Sequence, residues 1–323
     1  DGFLLVSHFQ GLDRNGDLAG RLVDVGHLGV DAITHRVALG ALLGAAVRKS
    51  DATGSSVASG GRRTVSGDIV VNYLTQGDPT DPPVLMIMGL GAQRVSWPPE
   101  FVEALVERGR YVITFDNRDA GESTHLSDAE VDLGELVGAL LGGAPLAEVP
   151  YTLSEMAADA VAVLDAVGID RAHIVGASMG GMIAQTLVIA HPERALSLTS
   201  VFSTTGEPEV GRPSDEAAAA LITPAPTERE AYLEATAERW KIWSAPEHWD
   251  AAAVRARLER EYVRSFDPAA VTRQLAAILA SGSRAEALPS VTAPTLVIHG
   301  LADTLVKPDG GRRTAELIPG AKL

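Results

Sequence analysis

A serine lies between two glycines in Gly176-Ala177-Ser178-Met179-Gly180, and this spacing could make the serine a nucleophile. The pattern G-x-S-x-G is typical of a nucleophile elbow, a very sharp turn between a strand and a helix. Larger side chains two residues before or after the serine would collide in such a turn. The turn lifts the hydroxyl above the sheet and places it at a helix N-terminus, where N–H groups stabilise developing negative charge. Ser178 is therefore the candidate nucleophile.

A second segment, Met88-Gly89-Leu90-Gly91, follows an apolar run. An enzyme with a nucleophile elbow takes one oxyanion N–H from the residue after the nucleophile and one from an earlier loop of this kind. Leu90 and Met179 are the candidate donors. The alternative is a turn that only needs glycine for a positive φ.

A third segment is a late apolar run that leads through His299 and Gly300 to Asp303. A carboxylate in that loop would orient an imidazole and stabilise its cationic form. An Asp in a loop is otherwise commonly a turn residue. The order of strand, serine turn, insertion, strand and acid favours the catalytic interpretation, with Asp303 as the acid.

The elements that must position these residues alternate between strand and helix. Short apolar runs predict strands at 69–75, 84–88, 111–115, 172–175, 196–202 and 295–299. Helices are predicted at 100–108, 154–167, 179–190 and 310–318. This alternation indicates an α/β fold with a mostly parallel sheet and helices on both faces.

Composition divides the chain into segments. Residues 1–63 are predicted to be an N-terminal extension that ends in a Ser/Gly-rich linker over 50–61, so that the organised domain begins near Arg62. Residues 64–204 and 291–323 form the predicted core. Residues 205–290 are rich in Ala, Glu and Arg with helical periodicity, and we expect them to form a helical cap inserted before the strand that carries the acid.

Residues 64–323 resemble the α/β-hydrolase superfamily. The segments 87–91 and 116–123 (Asp-Asn-Arg-Asp-Ala-Gly-Glu-Ser) resemble the branch that contains aclacinomycin methylesterase and bacterial lipases and carboxylesterases. The resemblance implies a serine hydrolase that cleaves a carboxylic ester through an acyl-enzyme. It implies Ser178 as nucleophile, Asp303 as triad acid, and Leu90 with Met179 as oxyanion donors. We expect 116–123 to be a structural turn beside the site.

The base of the expected triad is missing from its place in the sequence. In this superfamily the order is Ser, acid, His, but no histidine follows Asp303. Residues 321–323 resemble the start of one more strand, so we expect the chain to stop short of the histidine loop and this fragment to be inactive. His299 is expected to support the loop. An upstream pattern that ends in Gly26-His27 could complete the sheet by permutation or belong to a neighbouring domain, or it could be a linker that happens to contain His.

Other functions fit parts of the sequence. Gly89-Leu90-Gly91 followed by a strand that ends at Asp116 has the outline of a Rossmann dinucleotide site. Arg94 at the third glycine position and the 97–99 segment Trp-Pro-Pro, which interrupts the helix start, count against it. A hydrolase fold that only binds a ligand is a further alternative. Lactonase, thioesterase, peptidase and haloperoxidase chemistry would use a closely similar site.

Charge and composition exclude several classes of binding partner. The 323 residues include 46% hydrophobic and 21% charged residues, which is the balance of a folded protein. With 27 basic and 42 acidic residues the net charge is −15, the wrong sign for binding nucleic acid or an anionic membrane surface. The absence of cysteine excludes disulfides, thiolate zinc sites and a Cys nucleophile. We expect a small apolar ester as the partner, with no metal or organic cofactor.

The sequence also gives expectations for location and substrate pocket. The most apolar stretch, 37–47, is shorter than the roughly 20 residues that cross a bilayer. No signal peptide is visible, so we expect a cytoplasmic protein without a transmembrane segment, although a chain that opens on Asp1 predicts a gene that begins upstream. Six aromatic residues of the cap could line an apolar pocket or hold the cap helices together: Tyr232, Trp240, Trp243, Trp249, Tyr262 and Phe266.

Overall fold

Seven strands form one sheet, and the computed structural model describes residues 58–66, 68–142 and 148–323 of the chain. In chain order the strands are β1 (Ala58–Ser66), β2 (Ile69–Gln76), β3 (Pro83–Ile87), β4 (Tyr111–Phe115), β5 (Ala172–Ala177), β6 (Ala195–Val201) and β7 (Thr295–Ile298). Their order across the sheet is β1-β2-β4-β3-β5-β6-β7. The β1–β2 and β2–β4 pairs are antiparallel and the others are parallel. All six predicted strands are present, with ends within two residues of the prediction.

The apolar runs become the central strands because both faces of the sheet are covered. Every residue of β4 and β5 is buried. Leu85, Ile113 and Ile174 lie side by side across three strands and belong to the larger apolar cluster. Their neighbours along the strands, such as Val84 and Val112, belong to a second cluster. Successive side chains of a strand point to opposite faces, so the two clusters are the two apolar layers of the sheet.

Nine helices occur among the described residues. They are α1 (Pro99–Glu107), α2 (Leu133–Gly142), α3 (Leu153–Ala166), α4 (Met179–Ala190), α5 (Asp215–Ile222), α6 (Arg229–Trp243), α7 (Ala251–Arg264), α8 (Ala270–Ser281) and α9 (Pro308–Leu317). Helices α3 and α4 contribute to the larger apolar cluster, and α1 contributes to the second. Helices therefore lie on both faces of the sheet, as the alternating pattern predicts.

Three helix boundaries show why these segments are helical. Thr152 and Glu155 form a capping box that starts α3, in which each side chain meets the other residue's backbone N–H. Helix α4 has the predicted bounds, and Pro192 lies just beyond its end. Helix α2 was not predicted. Its sequence contains three glycines in ten residues, which weakens the local helix signal.

The first strand corrects the linker prediction. β1 pairs with β2 from Ala58 opposite Gln76 to Ser66 opposite Ile69. The predicted linker therefore overlaps a strand at 58–61, and the predicted boundary between 63 and 64 falls inside that strand. A Ser/Gly-rich segment has no period of its own, and the strand depends on backbone hydrogen bonds to β2. Residues 1–57, with His27 and most of the predicted extension, lie outside the described residues.

The chain between β6 and β7 contains helices α5 to α8 and no strand among its described residues. We call residues 205–290 the cap segment. Leu233, Val254 and Leu258 from α6 and α7 form a small apolar cluster of its own. No helix of the described residues is both long enough and apolar enough to cross a membrane.

The last described residues lie against β7. Val297 N–H donates to the Lys322 carbonyl at 2.7 Å, and Lys322 N–H donates to the Thr295 carbonyl at 3.0 Å. Leu296 and Lys322 form a parallel bridge. This pairing agrees with the expectation that 321–323 resemble the start of a strand.

Candidate active site

Ser178 lies on the predicted sharp turn between β5 and α4. Its φ of 55° and ψ of −120° are unfavourable for a residue with a side chain. A Cβ atom added to Gly176 would lie 2.1 Å from the Gly180 carbonyl oxygen, and one added to Gly180 would lie 2.1 Å from the Ile87 carbonyl oxygen. Neither position has room for a side chain, so both must be glycine, as the G-x-S-x-G pattern predicts. Ser178 itself is half-buried and lines a cavity.

The loop after β3 packs directly against this turn. A Cβ atom on Gly89 would lie 3.1 Å from both the Ala177 carbonyl oxygen and Ser178 Cβ. The Asn117 amide donates to the Met88 carbonyl at 2.8 Å, and Gly91 N–H donates to Gln274 Oε1 at 2.7 Å. These contacts fix the loop that contains Leu90 beside Ser178.

Met179 is the first residue of α4. The N–H groups of a first helical turn have no acceptor within their own helix, so they are available for a ligand. Met179 follows Ser178 directly, and Leu90 lines the cavity with Ser178. The structure thus brings both predicted donor residues to the nucleophile. Their role as oxyanion donors stays a prediction.

Asp303 follows β7, on the same edge of the sheet as Ser178. Ser178 N–H donates to the Val201 carbonyl at 2.9 Å and Phe202 N–H donates to the Ile298 carbonyl at 2.7 Å, so the carboxyl ends of β5, β6 and β7 are joined. Asp303 Oδ1 accepts the N–H groups of Leu305 and Val306, each at 2.9 Å. Burial raises the pKa of Asp303 to about 6, against the lowering effect of the two hydrogen bonds.

His299 supports the loop of Asp303 and does not line the cavity that contains Ser178. Its Nε2 donates to the Val306 carbonyl at 2.6 Å and lies 3.7 Å from Asp303 Oδ2. A Cβ atom on Gly311 would lie 2.5 Å from its Nδ1, so that nitrogen is enclosed. Burial lowers the pKa of His299, although the bond to Val306 opposes this effect. The Val306 carbonyl and Gly311 therefore fix the imidazole within the loop of Asp303.

The other described histidines are used elsewhere. His173 Nδ1 lies 2.7 Å from Ser197 Oγ, and burial, with a smaller effect of Arg110, lowers the pKa of His173 to about 4. His125 contacts Asp267 and the Gly121 carbonyl, each at 3.0 Å. No histidine of the described ranges lines the cavity that contains Ser178.

A cavity of about 910 Å³ lies between the sheet edge and the cap segment. Tyr232, Trp240 and Trp243 line it, as one of the two sequence interpretations predicts. The other interpretation, in which aromatic residues hold the cap helices together, fits the remaining three. Trp249 and Tyr262 pack against the apolar cluster of the cap, and the rings of Tyr262 and Phe266 lie 4.5 Å apart. The aromatic residues of the cap thus serve both purposes.

Buried ion pairs join the cap segment to the core. Arg264 at the end of α7 lies 2.5 Å from Asp116, and Arg273 of α8 lies 2.7 Å from Asp119. Asp119 also accepts the Tyr151 hydroxyl at 2.7 Å. The 116–123 segment is therefore a turn that receives the cap, in agreement with the structural role expected for it.

Sequence reasoning missed the cap residues that reach the core. Gln274 accepts Gly91 N–H and donates to the Arg118 carbonyl at 2.8 Å, so α8 touches the predicted oxyanion loop. The available signal was an Arg-Gln pair, Arg273-Gln274, within an otherwise mostly apolar helix. Polar residues on an apolar helix face require buried partners. Which partners they meet depends on long-range contacts.

One group of side chains consists of residue types that can bind a metal ion. Ligand atoms of Asp119, His125 and Asp267 lie within 4.8 Å of one another. Arg273 donates to both carboxylates, at 2.7 Å to Asp119 and 2.8 Å to Asp267. The guanidinium already supplies the positive charge that these carboxylates need, and the group serves as part of the cap–core junction.

The family model for the alpha/beta hydrolase fold matches residues 82–323. This chain belongs to the α/β-hydrolase family. Rhodomycin D methylesterase DnrP of Streptomyces peucetius is 34% identical to this α/β hydrolase over 270 residues, which cover 76% of the chain and 84% of the relative. The putative carbamate hydrolase RutD of Caulobacter sp. (strain K31) is 30% identical over 245 residues, with 74% of the chain and 80% of the relative covered.

A solved structure gives the same fold. The esterase RhEst1 of Rhodococcus sp. ECU1013 aligns with a TM-score of 0.63 and 22% sequence identity, over 82% of this α/β hydrolase and 88% of that chain. The family match and the esterases among the relatives of this chain confirm three predictions. These are the α/β-hydrolase fold, the methylesterase branch and a carboxylic ester hydrolase. The dinucleotide-site alternative is disfavoured, since a 3-10 turn, Arg94–Ser96, follows the glycine loop and α1 begins only at Pro99.

Proposed function

We propose that Ser178 is the nucleophile of a carboxylic ester hydrolase, with Asp303 as the triad acid and the Leu90 and Met179 N–H groups as oxyanion donors. The observation that carries the proposal is the backbone of Ser178, strained at φ 55° on the edge of the cavity beside the Gly89 loop. A strained residue of this kind persists only where the surrounding structure enforces it, and such residues cluster at active sites.

The reaction has two halves. Ser178 Oγ attacks the ester carbonyl while an imidazole takes the hydroxyl proton, and the two N–H groups stabilise the resulting oxyanion. The carbon–oxygen bond of the ester then breaks and the alcohol leaves with that proton. Water attacks the acyl-enzyme, gives up a proton to the imidazole, and releases the carboxylic acid with a regenerated serine. Asp303 orients the imidazole and stabilises its cation.

The acyl part of the substrate is an apolar ring body and the alcohol is small. The cavity supports the first point, because aromatic residues of α6 line it together with Ser178. The relatives support the second, because two of them, at 34% and 32% identity, are methylesterases. A carbamate is the second candidate substrate, because a putative carbamate hydrolase is 30% identical over 74% of the chain.

The imidazole can be supplied from solution in a test of this proposal. Asp303 Oδ2 makes no hydrogen bond to the described residues beyond the 3.7 Å approach of His299. Added imidazole should therefore accelerate hydrolysis of an aromatic methyl ester and labelling of the chain by a fluorophosphonate probe. Both effects should saturate with imidazole, because it binds beside a fixed carboxylate.

Ser178→Ala is the deciding variant. It should abolish the labelling and the imidazole-dependent hydrolysis, and Asp303→Asn should weaken the imidazole effect about 10-fold or more. Labelling that persists in Ser178→Ala, or no labelling of the wild type with or without imidazole, would contradict the proposal. A matched methyl carbamate assayed in parallel decides between the two substrate classes.

A further inference from the structure

The predicted oxyanion loop, which contains Leu90, is held from two sides of the molecule. On the core side, the Asn117 amide donates to the Met88 carbonyl at 2.8 Å. On the cap side, Gln274 Oε1 of α8 accepts the Gly91 N–H at 2.7 Å. Leu90 lies between these two attachment points, so the position of its N–H depends on the cap as well as on the core.

The loop is a tight turn in which one peptide group needs a contact from outside. Ala92 N–H donates to the Gly89 carbonyl at 3.2 Å and closes the turn, and Gly91 has the positive φ, 67°, of a type II turn. Type I and type II turns share the closing hydrogen bond and differ in the orientation of the central peptide. That peptide joins Leu90 and Gly91. Because Gln274 accepts its N–H, Gln274 selects one of the two orientations.

The first peptide of the turn sets the direction of the Leu90 N–H. The Gly89 carbonyl faces Ala92 inside the turn, and no peptide bond among the described residues is cis. In a trans peptide the carbonyl and the N–H point in opposite directions, so the Leu90 N–H points out of the turn. The turn touches the nucleophile, since a Cβ atom on Gly89 would lie 3.1 Å from Ser178 Cβ. A small movement of the turn therefore changes the distance between this N–H and an oxyanion formed at Ser178.

Gln274 is itself fixed, which makes it a rigid support for the loop. Its side chain is 0% exposed, and its Nε2 donates to the Arg118 carbonyl at 2.8 Å. Both ends of the amide are thus bonded, and their partners determine which end faces the loop. Val271, three residues earlier on the same helix face, packs on the loop as well, because a Cβ atom on Gly91 would lie 2.9 Å from its Cγ2.

We propose that Gln274 is a positioning residue for the reaction: from the cap, it holds the turn that presents the Leu90 N–H to the oxyanion. The reacting groups all belong to the sheet edge, and Gln274 acts on them only through the loop. The oxyanion loop then has its working geometry only while α8 is docked on the core. The inference rests on the proposed function, because it takes Leu90 as an oxyanion donor.

Two esters that differ in one atom report on the oxyanion donors. Methyl benzoate develops its negative charge on oxygen, whereas methyl thionobenzoate develops it on sulfur, which accepts hydrogen bonds weakly. Both are assayed with saturating imidazole. In Gln274→Met we expect kcat for the oxygen ester to fall at least about 10-fold with KM changed less than about 2-fold, because Gln274 does not line the cavity. The thiono ester should lose much less, so the ratio of the two kcat values should fall. A loss of folded protein alone would lower both rates equally.

Three further variants separate the loop contact from the loss of a buried amide. Gln185→Met is the matched control, because Gln185 is also 0% exposed and its amide contacts Ser200 and Arg284 instead of the loop. It should keep the kcat ratio of the wild type. Gln274→Glu retains an oxygen for the Gly91 N–H and should keep most of the ratio. Gln274→Asn is one methylene shorter, so it should lower the ratio, and it serves if Gln274→Met does not fold.

Two results would overturn the proposal. One is an unchanged kcat ratio in a folded Gln274→Met or Gln274→Asn variant, and the other is an equal fall of the ratio in Gln185→Met. Failure of the proposed function has a different signature, since hydrolysis of the oxygen ester would then persist in Ser178→Ala. That result would also remove the oxyanion role of Leu90 on which the inference depends.

Discussion

The sheet edge and the cap segment face each other across the cavity, and they hold their functional groups by different means. At the sheet edge the backbone does the positioning: Ser178 is strained, its flanking glycines have no room for a side chain, and Asp303 accepts two backbone N–H groups. The cap uses buried charged side chains instead, with Arg264 and Arg273 paired to core carboxylates. Backbone geometry tolerates almost no variation in residue type, whereas side-chain pairs can be exchanged. We infer that the edge carries the reaction and the cap carries the specificity.

The cap–core ion pair offers the largest expected change in stability. Arg273→Met leaves the carboxylate of Asp119 buried without its cation, which we expect to lower the free energy of unfolding by about 4 kcal/mol. Arg255→Met removes a pair that is partly exposed on both sides, so it should cost less than about 1 kcal/mol. Denaturant titration of both variants measures the difference. Equal losses of unfolding free energy in the two variants would show that burial of the Arg273–Asp119 pair does not increase its contribution to stability.

The glycine positions test the backbone side of the comparison. In Gly180→Ala the new Cβ would lie 2.1 Å from the Ile87 carbonyl oxygen, so the turn must move. We expect a loss of about 3 kcal/mol in stability and a fall of about 100-fold in Ser178 labelling, because the nucleophile shifts. Gly138→Ala in α2 has no atom within 4 Å of the new Cβ and should be neutral or stabilising. Normal labelling of Gly180→Ala would show that the turn can adapt.

The buried carboxyl of Asp303 predicts a pH dependence of stability. Its pKa of about 6 lies above the ordinary 3.8, because burial disfavours the charged form. The folded state therefore binds more protons than the unfolded state between about pH 4 and 6, and the contribution of Asp303 to stability falls as pH rises through that window. The difference between the two pKa values corresponds to about 3 kcal/mol.

Asp303→Asn isolates this effect. Its amide oxygen can still accept the N–H groups of Leu305 and Val306 but does not titrate. The free energy of unfolding of the wild type, relative to this variant, should fall by up to about 3 kcal/mol from pH 4 to pH 7. A flat curve for Asp303 would mean that the carboxylate is not penalised by burial.

The local signals of the core were sufficient for most of its elements. Residues 111–115 and 179–190 have the predicted bounds, because each is a mostly apolar run with clear ends. The order of serine turn, insertion and late acid was also visible. The strand at 58–61 and helix α2 were not, because one depends on its partner β2 and the other contains glycines at three positions.

The sequence by itself determined the nucleophile turn, since the steric demand for Gly176 and Gly180 is local and leaves a pattern of five residues. It also determined the alternation that builds the sheet, because burial on both faces requires continuous apolar runs. Only the tertiary structure decided which cap residues meet the core and which reach the cavity. Arg273 binds Asp119 across 154 positions of sequence, and Gln274 accepts the Gly91 N–H across 183 positions. Local periodicity carries no information about such partners, since they are chosen by packing between distant segments.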